Sequence, residues 1–440
     1  MRLSLAEIAK ATSGTLSDEK LSDLTVTALE FDSRKLTFGA IFLPLKGETS
    51  DGHDFIAQAF ENGAVATFTE HSVDFPHILV KDCQKAFEDL TQAILKKQQP
   101  KIVAITGSNG KTTTKDMTAA VLSEKYTTYK TQGNYNSLQG LCYTVCAMPE
   151  ATDMLVLEMG MDRPGDIDTL SNLTRPDFGV VTLIGESHLE FFGTREAIAK
   201  GKMGMTAGLK GPLLAPADKI IDPYIPENQE IVRFGDGADI HLSELTEARD
   251  HMTFKVNFLD ETLTIPVPGK FNATNAMLAA YVGQHFKASP EQIKHALSHV
   301  TLTKNRTEWL KAANGADILN DAYNANPTSM RLILETFQNL PANPNGRKIA
   351  VLADMLELGP TSPDLHAGIS EAVKSDKLQE IYLYGPLMKH LADKLPEAHY
   401  FTDLSELTEA VKAHLQPSDQ ILFKGSNGMH LSELIEVLTH

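Results

Sequence analysis

Residues 106–115, with the sequence TGSNGKTTTK, carry the groups that bind a polyphosphate. Gly107 and Gly110 permit a tight turn whose backbone N–H groups face an anion at the start of a helix. Lys111 would neutralise phosphate charge, and the Thr112 hydroxyl is suited to Mg²⁺. These residue types at this spacing predict nucleotide chemistry.

The glycine spacing departs from that of the standard phosphate loop. The standard loop has four residues between its glycines, whereas only Ser108 and Asn109 separate them here. An ordinary turn between a strand and a helix therefore stays an alternative. Residues 101–106 are predicted to form a buried parallel strand and residues 116–124 a helix, which is the setting that a phosphate loop needs.

Polar residues that could assist this loop follow later predicted strands. Glu158 and His188 are expected at the carboxyl edge of a parallel sheet, beside Asn134, where ligands of such sheets bind. Glu158 and Thr112 offer the hard oxygen ligands that Mg²⁺ prefers. Thr113 and Asn134 are placed to contact a transferred phosphoryl group. A structural role stays an alternative for His188, but together these residues predict a Mg²⁺–ATP site.

Cationic and hydrogen-bonding residues also stand on predicted loops of the first 98 residues. Ser33, Arg34, Lys46 and His53 lie there, and loops on a rigid scaffold commonly hold binding groups. Solvated surface charges are the alternative for each of them. The same alternative applies to the lysines of the predicted helix 194–205.

The composition limits the class of protein. At 440 residues, with 42% apolar and 22% charged residues, the chain is expected to hold about three globular domains. Its formal net charge of −17 argues against a general nucleic-acid binder, because phosphate backbones require basic surfaces. The three cysteines show no metal-ligand spacing and are expected to be buried free thiols. The sequence shows neither a membrane-spanning segment nor a signal peptide, so a cytoplasmic protein without membrane insertion is expected.

Alternating predicted strands and helices divide the chain into three units. Residues 1–98 are predicted to form a small α/β domain, residues 99–310 a central domain with the phosphate loop, and residues 311–440 a second doubly wound domain without such a loop. The central sheet is expected to be mainly parallel. A helix is predicted over residues 272–282, with Asn272 as its N-cap.

Several motifs resemble those of the Mur ligase family, in the family order and over more than 300 residues. The short phosphate loop itself matches the family's version. The other motifs are GNYN at 133–136, EMGM at 158–161, HLEFFG at 188–193, NATN at 272–275, NDAYNANP at 320–327, DMLELG at 354–359 and KGS at 424–426. The Asn-Ala-Asn-Pro run resembles the branch of the family that adds D-alanyl-D-alanine.

The resemblance implies a three-domain Mur ligase architecture with a Rossmann-like C-terminal domain, and it implies a role for each candidate residue. The catalytic residues would be Lys111, Glu158, His188 and Lys202. The ATP-binding residues would be Gly107, Ser108, Asn109, Gly110, Lys111, Thr112, Thr113, Asn275, Arg306, Asp321 and Asn326. The UDP-sugar and peptide substrates would contact Ser33, Arg34, Lys46, Asp51, His53, Asn134, Asn136, Tyr323 and Asn324. Two Mg²⁺ ions are implied, one at Thr112 and Glu158 and one at His188.

The family also carries a carbamylated lysine near the second metal. Lys202 aligns best with that lysine, and Lys200 is close by. Gly204 stands where an acidic residue is usual two positions later, and Asn427 stands where an arginine is common.

The implied reaction is the ATP-dependent addition of D-alanyl-D-alanine to UDP-MurNAc-tripeptide through an acyl phosphate, in peptidoglycan biosynthesis. A monomer that closes around ATP and both substrates is expected. One alternative is another amide ligase, either a different Mur ligase or an enzyme similar to folylpolyglutamate synthase. A second alternative is a regulatory phosphate-loop protein that binds nucleotide without ligation.

Overall fold

The computed structural model describes residues 2–47 and 49–440, which form three successive α/β units. The elements of the N-terminal unit are β1 (Leu3–Ser4), α1 (Leu5–Ala11), β2 (Thr15–Leu16), β3 (Thr25–Val26), β4 (Ala28–Glu30), β5 (Ala40–Phe42), α2 (Ile56–Glu61), β6 (Ala64–Thr69), β7 (His77–Leu79) and α3 (Cys83–Gln98). Its main sheet has the order β2-β7-β6-β5-β4, and only β2 is antiparallel to its neighbour. The loops that follow β4, β5 and β6 therefore meet at one edge of the sheet.

The central unit contains a six-stranded parallel sheet with the order β13-β12-β11-β8-β10-β9 and a three-stranded antiparallel sheet, β14-β15-β16. Its strands are β8 (Lys101–Thr106), β9 (Thr128–Lys130), β10 (Met154–Glu158), β11 (Phe178–Val181), β12 (Leu213–Pro216), β13 (Ile231–Phe234), β14 (Leu242–Glu247), β15 (Met252–Val256) and β16 (Leu259–Ile265). Its helices are α4 (Lys111–Ser123), α5 (Leu138–Ala147), α6 (Asp166–Thr174), α7 (Leu189–Phe192), α8 (Arg195–Met203), α9 (Lys270–His285) and α10 (Pro290–Ser298).

Strand β8 lies at the point where the strand order of the central sheet reverses. The chain runs from β8 through β9 to β10 on one side and then to β11 on the other. Side chains of β8 alternate between two cores, with Ile102 in one and Val103 in the other, which explains its continuous apolar sequence. Ligands of doubly wound sheets bind in the crevice at such a reversal, and the phosphate loop begins there.

The C-terminal unit contains a second six-stranded sheet, in the order β17-β18-β22-β19-β20-β21. Its elements are β17 (Glu308–Lys311), β18 (Asp317–Asn320), α11 (Pro327–Asn339), β19 (Lys348–Ala353), α12 (Ser362–Ala367), β20 (Glu380–Tyr384), α13 (Lys389–Ala392), β21 (His399–Phe401), α14 (Leu404–His414), β22 (Gln420–Lys424) and α15 (Leu431–Thr439). Only β17 is antiparallel to its neighbour. Because β17 pairs with β18, this sheet starts at Glu308, slightly before the predicted domain start at residue 311.

Two local predictions differ from the structure. Helix α4 begins at Lys111 rather than at residue 116, so the Lys-Thr pair forms its first turn. Asn272 is not an N-cap, because α9 begins two residues earlier, after Gly269. The buried Asn272 amide instead donates a hydrogen bond to the Pro268 carbonyl oxygen (2.7 Å).

The N-terminal unit packs on the central unit through polar and aromatic groups. The Tyr143 hydroxyl of α5 donates a hydrogen bond to Glu30 Oε2 (3.1 Å) at the end of β4. The Phe31 ring makes edge-on contacts with the rings of Tyr143 and Tyr135, at centroid distances of 5.4 and 6.5 Å. The edge of the N-terminal sheet is thereby fixed beside the segment that carries Asn134 and Asn136.

The structure confirms the predicted α/β class, the mainly parallel central sheet and the second doubly wound unit. The three cysteines are buried and free, as expected. Within residues 2–47 and 49–440, no helix has the length and apolar character needed to cross a membrane.

Candidate active site

The phosphate loop has a backbone shape that only glycine fits. Gly107 and Gly110 have φ values of +148° and +80°, in the region that L-residues with side chains rarely adopt. A Cβ atom on Gly107 would lie 1.8 Å from Thr182 Oγ1, and one on Gly110 would lie 2.5 Å from Asn275 Oδ1. The loop is therefore packed tightly against Thr182 and Asn275. The Ser108 N–H donates a hydrogen bond to the Leu183 carbonyl oxygen (2.8 Å), so the N–H groups at the start of α4 are the ones placed for a phosphate.

Lys111 is the first residue of α4 and contacts the beginning of the phosphate loop. Its ammonium donates a hydrogen bond to the Gly107 carbonyl oxygen (2.9 Å), four residues back. Burial lowers the pKa of the Lys111 amine. A half-buried cation at the start of a helix is an arrangement that a polyphosphate would stabilise.

A cavity of about 540 Å³ lies between the phosphate loop, α9 and the C-terminal unit. The predicted site residues that line it are Ser108, Asn109, Gly110, Lys111, Thr112, Thr113, Asn275, Arg306, Asp321 and Asn324. Other lining residues, which the sequence did not single out as site residues, include Thr182, Lys270, Phe271, Glu335 and Lys424. Asn275 also accepts a hydrogen bond from Thr114 Oγ1 (3.2 Å), so it braces the loop from α9.

Arg306 joins the start of α4 to the C-terminal side of the cavity. Its guanidinium donates a hydrogen bond to Thr112 Oγ1 (3.3 Å) and lies over the Tyr323 ring, 4.1 Å from the centroid. The aromatic face holds the guanidinium plane by a cation–π interaction. Arg306 is therefore positioned to present positive charge at the mouth of the phosphate loop.

Lys424 is a functional candidate that the sequence did not single out as a site residue, although the KGS motif contains it. This ammonium at the end of β22 contacts Asp321 Oδ2 (2.6 Å) and donates a hydrogen bond to the Asn324 carbonyl oxygen (2.7 Å). Burial lowers the pKa of its amine, against the opposing effect of Asp321. Lys424 thus fixes the segment that holds Asp321, Tyr323 and Asn324.

Asn326 bridges the C-terminal and central units. Its amide nitrogen donates hydrogen bonds to Asn109 Oδ1 (3.1 Å) and to Ser187 Oγ (2.5 Å). Its amide oxygen accepts from Ser329 N–H (2.8 Å) and so caps α11. One side chain thereby begins a helix of one unit and contacts the phosphate loop of the other.

Glu158 is a buried carboxylate at the end of β10. Its Oε1 accepts a hydrogen bond from Asn136 Nδ2 (2.8 Å). Within the described chain its Oε2 has no hydrogen-bond partner, and the buried Lys115 ammonium lies 3.9 Å away. A carboxylate oxygen left without a hydrogen bond fits a divalent cation as its partner, because Mg²⁺ binds through hard oxygen ligands.

A second cavity, of about 440 Å³, lies beyond Glu158. It is lined by residues of α5, α6 and the segment after β10, including Asn136, Gln139, Gly160, Asp162 and Thr169. Asn136 therefore faces both this cavity and Glu158, whereas the predicted substrate contact Asn134 is exposed on the preceding loop.

His188 meets a residue that the sequence did not indicate. It has a φ of +61°, and its Nδ1 lies 2.7 Å from Glu357 Oε2 of the C-terminal unit. The nearby imidazole lowers the pKa of the Glu357 carboxyl. The backbone N–H of Glu190 also donates a hydrogen bond to the Glu357 carbonyl oxygen (3.0 Å). Within the described residues His188 Nδ1 has no hydrogen-bond partner, so its contact with Glu357 is an ion-pair contact only.

The two candidate lysines of α8 differ sharply in burial. The Lys202 side chain is 1% exposed, whereas Lys200 is exposed. Burial, and then the nearby Lys111 charge, lowers the pKa of the Lys202 amine well below its usual value. Gly204 is crowded by another helix, because a Cβ atom there would lie 2.2 Å from Asp168 Oδ2 of α6. The Asp168 carboxylate of α6 therefore occupies the space beside Gly204 that a side chain at position 204 would need.

The predicted substrate contacts of the N-terminal unit lie together at one sheet edge, away from the phosphate loop. Their charged groups are paired locally. Arg34 binds Asp32 through two nitrogens (2.8 and 3.0 Å), and Lys46 contacts Glu70. The Asp32 pairing lowers the pKa of its carboxyl to about 2. A substrate anion would have to compete with these carboxylates for Arg34 and Lys46.

Asp51 and His53 are paired with each other, since His53 Nδ1 lies 2.6 Å from Asp51 Oδ1. Ser33 is buried, and its hydroxyl donates a hydrogen bond to Gln58 Oε1 (3.0 Å).

The fold and the site define a phosphate-loop protein whose nucleotide-sized cavity is closed by a second doubly wound unit. Three family descriptions match the chain: "Mur ligase family, catalytic domain" over residues 25–121, "Mur ligase middle domain" over residues 105–283, and "Mur ligase, glutamate ligase domain" over residues 305–427. The chain belongs to the Mur ligase family.

Two relatives that match this chain over nearly its full length carry the name of one particular ligase. The UDP-N-acetylmuramoyl-tripeptide–D-alanyl-D-alanine ligase of Bacillus subtilis (strain 168) is 38% identical over 455 residues, covering 100% of this chain and 98% of the relative. The enzyme of the same name from Escherichia coli (strain K12) is 31% identical and covers 95% of this chain and 94% of the relative.

Two solved structures show the same architecture. A crystal structure of MurF from Acinetobacter baumannii superposes with a TM-score of 0.91 at 27% identity, covering 100% of this chain and 99% of that one. The MurF ligase of Thermotoga maritima in complex with ADP superposes with a TM-score of 0.83 at 27% identity, covering 94% and 97% of the two chains.

Proposed function

We propose that this chain joins D-alanyl-D-alanine to UDP-MurNAc-tripeptide at the expense of ATP, a step of peptidoglycan synthesis. The observation that carries the proposal is the cavity in which the phosphate loop faces Asp321, Asn324 and Lys424. These residues belong to the C-terminal motifs typical of the D-alanyl-D-alanine-adding branch. The full-length relatives that carry the name of this ligase support the same assignment.

ATP is the nucleotide that the cavity would hold. Backbone N–H groups of the loop and the Lys111 ammonium would bind its phosphates, and Arg306 would add positive charge from the C-terminal side. The MurF ligase of Thermotoga maritima, solved in complex with ADP, supports this placement. We propose that Thr112 and Glu158 hold one Mg²⁺ and that His188 serves a second. Mg²⁺ would neutralise charge on the phosphate oxygens.

The reaction would proceed in two steps. The terminal carboxylate of the tripeptide attacks the γ-phosphorus of ATP, which forms an acyl phosphate and releases ADP. The dipeptide amine then attacks the acyl carbon, and the tetrahedral intermediate expels inorganic phosphate as the amine loses a proton. Lys111 and Arg306 stabilise the negative charge that moves onto phosphate oxygens in the first step.

We propose that Lys202 carries a carbamate. Carbamylation requires a neutral amine, and burial beside Lys111 favours the neutral form of Lys202. The product would be a carboxylate that balances the nearby Lys111 charge. Lys200 is exposed, so solvent stabilises its ammonium and we do not propose a carbamate there.

The UDP-sugar would bind across the N-terminal unit. Ser33, Arg34, Lys46, Asp51 and His53 share one edge of its sheet and supply cationic and hydrogen-bonding groups. The Tyr143–Glu30 contact holds this edge against the central unit, which supports a substrate path from the first unit toward Glu158.

An ADP-release assay tests the proposal. With ATP, Mg²⁺ and UDP-MurNAc-tripeptide, D-alanyl-D-alanine should stimulate ADP release and yield the pentapeptide product. L-alanyl-L-alanine is the matched control amine and should not. Stimulation by glutamate or by a single amino acid would favour another amide ligase, and ATP binding without any turnover would favour a regulatory protein.

A further inference from the structure

Three side chains from separate elements of the N-terminal unit bring metal-binding atoms together. They are His53 in the loop after β5, Glu70 directly after β6, and Cys83 at the start of α3. One donor atom from each lies within 4.8 Å of the other two. We propose that they form a binding site for Zn²⁺ or a similar cation, distinct from the nucleotide site.

His53 is held in the tautomer that binds metals. Its Nδ1 lies 2.6 Å from Asp51 Oδ1, a distance at which the ring nitrogen donates its proton to the carboxylate. Its Nε2 then presents a lone pair, which accepts a hydrogen bond from the Glu70 backbone N–H (3.3 Å) and faces Cys83 Sγ. A carboxylate that orients the ring through the opposite nitrogen is the usual support of a zinc-bound histidine.

The spacing of the sulfur and nitrogen donors fits a tetrahedral zinc ion. Zn–S and Zn–N bonds of about 2.3 and 2.1 Å place the two ligand atoms roughly 3.6 Å apart. Cys83 Sγ and His53 Nε2 are 3.9 Å apart. Glu70 Oε1 accepts a hydrogen bond from the Cys83 backbone N–H (3.1 Å), which keeps a carboxylate next to the sulfur.

The ligand set also balances the charge of a dication. A Cys83 thiolate and the Glu70 carboxylate together carry two negative charges, and the thiol proton would leave to solvent on binding. Nitrogen, sulfur and oxygen donors together favour zinc over Mg²⁺ or Ca²⁺, which bind oxygen. The Cys83 side chain is 2% exposed, and a water molecule would supply the fourth ligand of a tetrahedral zinc ion.

Binding would have a consequence for Lys46. Its ammonium is paired with Glu70 Oε2, so a cation at Glu70 would compete with Lys46 for that carboxylate. The metal would join the loop that carries His53 to β6 and α3, while Lys46 would become free to bind an anion at the same sheet edge. If this sheet edge binds the UDP-sugar, as proposed above, metal loading and substrate binding would be linked in this unit.

Cobalt substitution tests the site directly. The full-length chain is stripped with a chelator, loaded with Co²⁺ and read by the sulfur-to-cobalt charge-transfer band, then titrated with Zn²⁺ in competition. We expect one equivalent of Co²⁺ with this band, displaced by one equivalent of Zn²⁺. Cys83→Ser should abolish the band and His53→Gln should weaken binding at least tenfold. Cys142→Ser, which changes another buried cysteine in α5, should change neither.

Each contrary outcome overturns the site. The absence of the band in the unmodified chain, or its persistence in Cys83→Ser, would rule out sulfur ligation. Equal Co²⁺ affinity in His53→Gln and the unmodified chain would rule out the histidine. Circular dichroism of the metal-free variants checks their folding, and His53→Gln, which retains Cys83, keeps the test decisive if Cys83→Ser does not fold.

Discussion

Single residues explain how an acidic chain can hold a polyanion. The net charge is −17, yet the amines of Lys111 and Lys424 line the nucleotide cavity. Burial lowers the pKa of both amines, because each lacks full solvation of its charged form. Bound phosphate would offset that cost. The nucleotide site therefore carries cationic groups although the chain as a whole is acidic.

Lys111→Ala should nearly abolish turnover without unfolding the protein. The substitution removes a cation from the phosphates and the hydrogen bond to the Gly107 carbonyl. Loss of one such stabilising group commonly lowers kcat by about 10²–10³-fold. Steady-state ADP release measures the loss, and circular dichroism measures the fold. Near-normal activity in this variant would exclude the phosphate-loop role.

Lys202→Ala should lower kcat by roughly 10–100-fold, as loss of a group that supports a metal site typically does. If Lys202 carries a carbamate, short carboxylic acids such as acetate or propionate should restore part of the activity, because they can fill the space with a carboxylate. Lys200→Ala is the matched control. It removes an exposed lysine from the same helix and should leave kcat unchanged. A Lys202→Ala variant of low activity that no acid rescues would weaken the carbamate proposal.

At the scale of helices and strands, runs of apolar residues and the spacing of glycines were the features that predicted most of the elements. Strand β8 and the loop after it follow from the local sequence, because a buried parallel strand needs apolar residues on both faces. The contact between His188 and Glu357 could not be predicted, since its partners lie 169 positions apart in the sequence. The contact between His53 and Cys83 could not be predicted either. The two residues are 30 positions apart, which is not a spacing typical of metal ligands, and only the fold brings them together.

Helix starts and contacts between helices were also not predictable from the local sequence. Asn272 has the residue type of an N-cap, but Gly269, with a φ of +103°, allows the chain to enter α9 earlier. Asp168 beside Gly204 is likewise a contact between α6 and the end of α8. Packing between elements decided both cases, and local propensity did not.

Gly359→Ala should loosen the turn that docks on α7. Gly359 has a φ of +63°, and a Cβ atom there would lie 3.1 Å from Glu190 Cα. The left-handed conformation costs a non-glycine residue about 1–2 kcal/mol, and the contact with α7 would add to this cost. Chemical denaturation should show a loss of stability, and ADP release should fall because the Glu357 contact with His188 is displaced.

Gly315→Ala is the control for backbone strain alone. Gly315 also has a positive φ, +99°, but its Cβ atom would only reach ordinary contact with Pro417, at 3.8 Å. Gly315→Ala should lower the free energy of unfolding through backbone strain alone and should leave ADP release unchanged. Equal effects of the two substitutions on activity would contradict a docking role for the turn at Gly359.

At the scale of the whole molecule, the contacts of the C-terminal unit with the central unit include one group near the phosphate loop and another at Arg249. Near the phosphate loop the contacts are Asn326 to Asn109 and Ser187, and Glu357 near His188. On the far side, Trp309 Nε1 donates a hydrogen bond to the Arg249 carbonyl oxygen (2.9 Å), and the Arg249 guanidinium stacks on the Trp309 ring. Both places join the C-terminal unit to the central unit in this structure, and the first of them borders the phosphate loop.

Asn326→Ser tests this coupling between the units. Serine is as good an N-cap as asparagine, so α11 should keep its stability, but the shorter side chain loses the bonds to Asn109 and Ser187. Two lost hydrogen bonds of about 1 kcal/mol each should raise the KM for ATP by roughly tenfold or more. X-ray scattering of the free protein should show a larger radius of gyration. Asp403→Ser, at the cap of α14 far from the interface, should leave both quantities unchanged. An unaltered KM in Asn326→Ser would show that closure does not depend on this bridge.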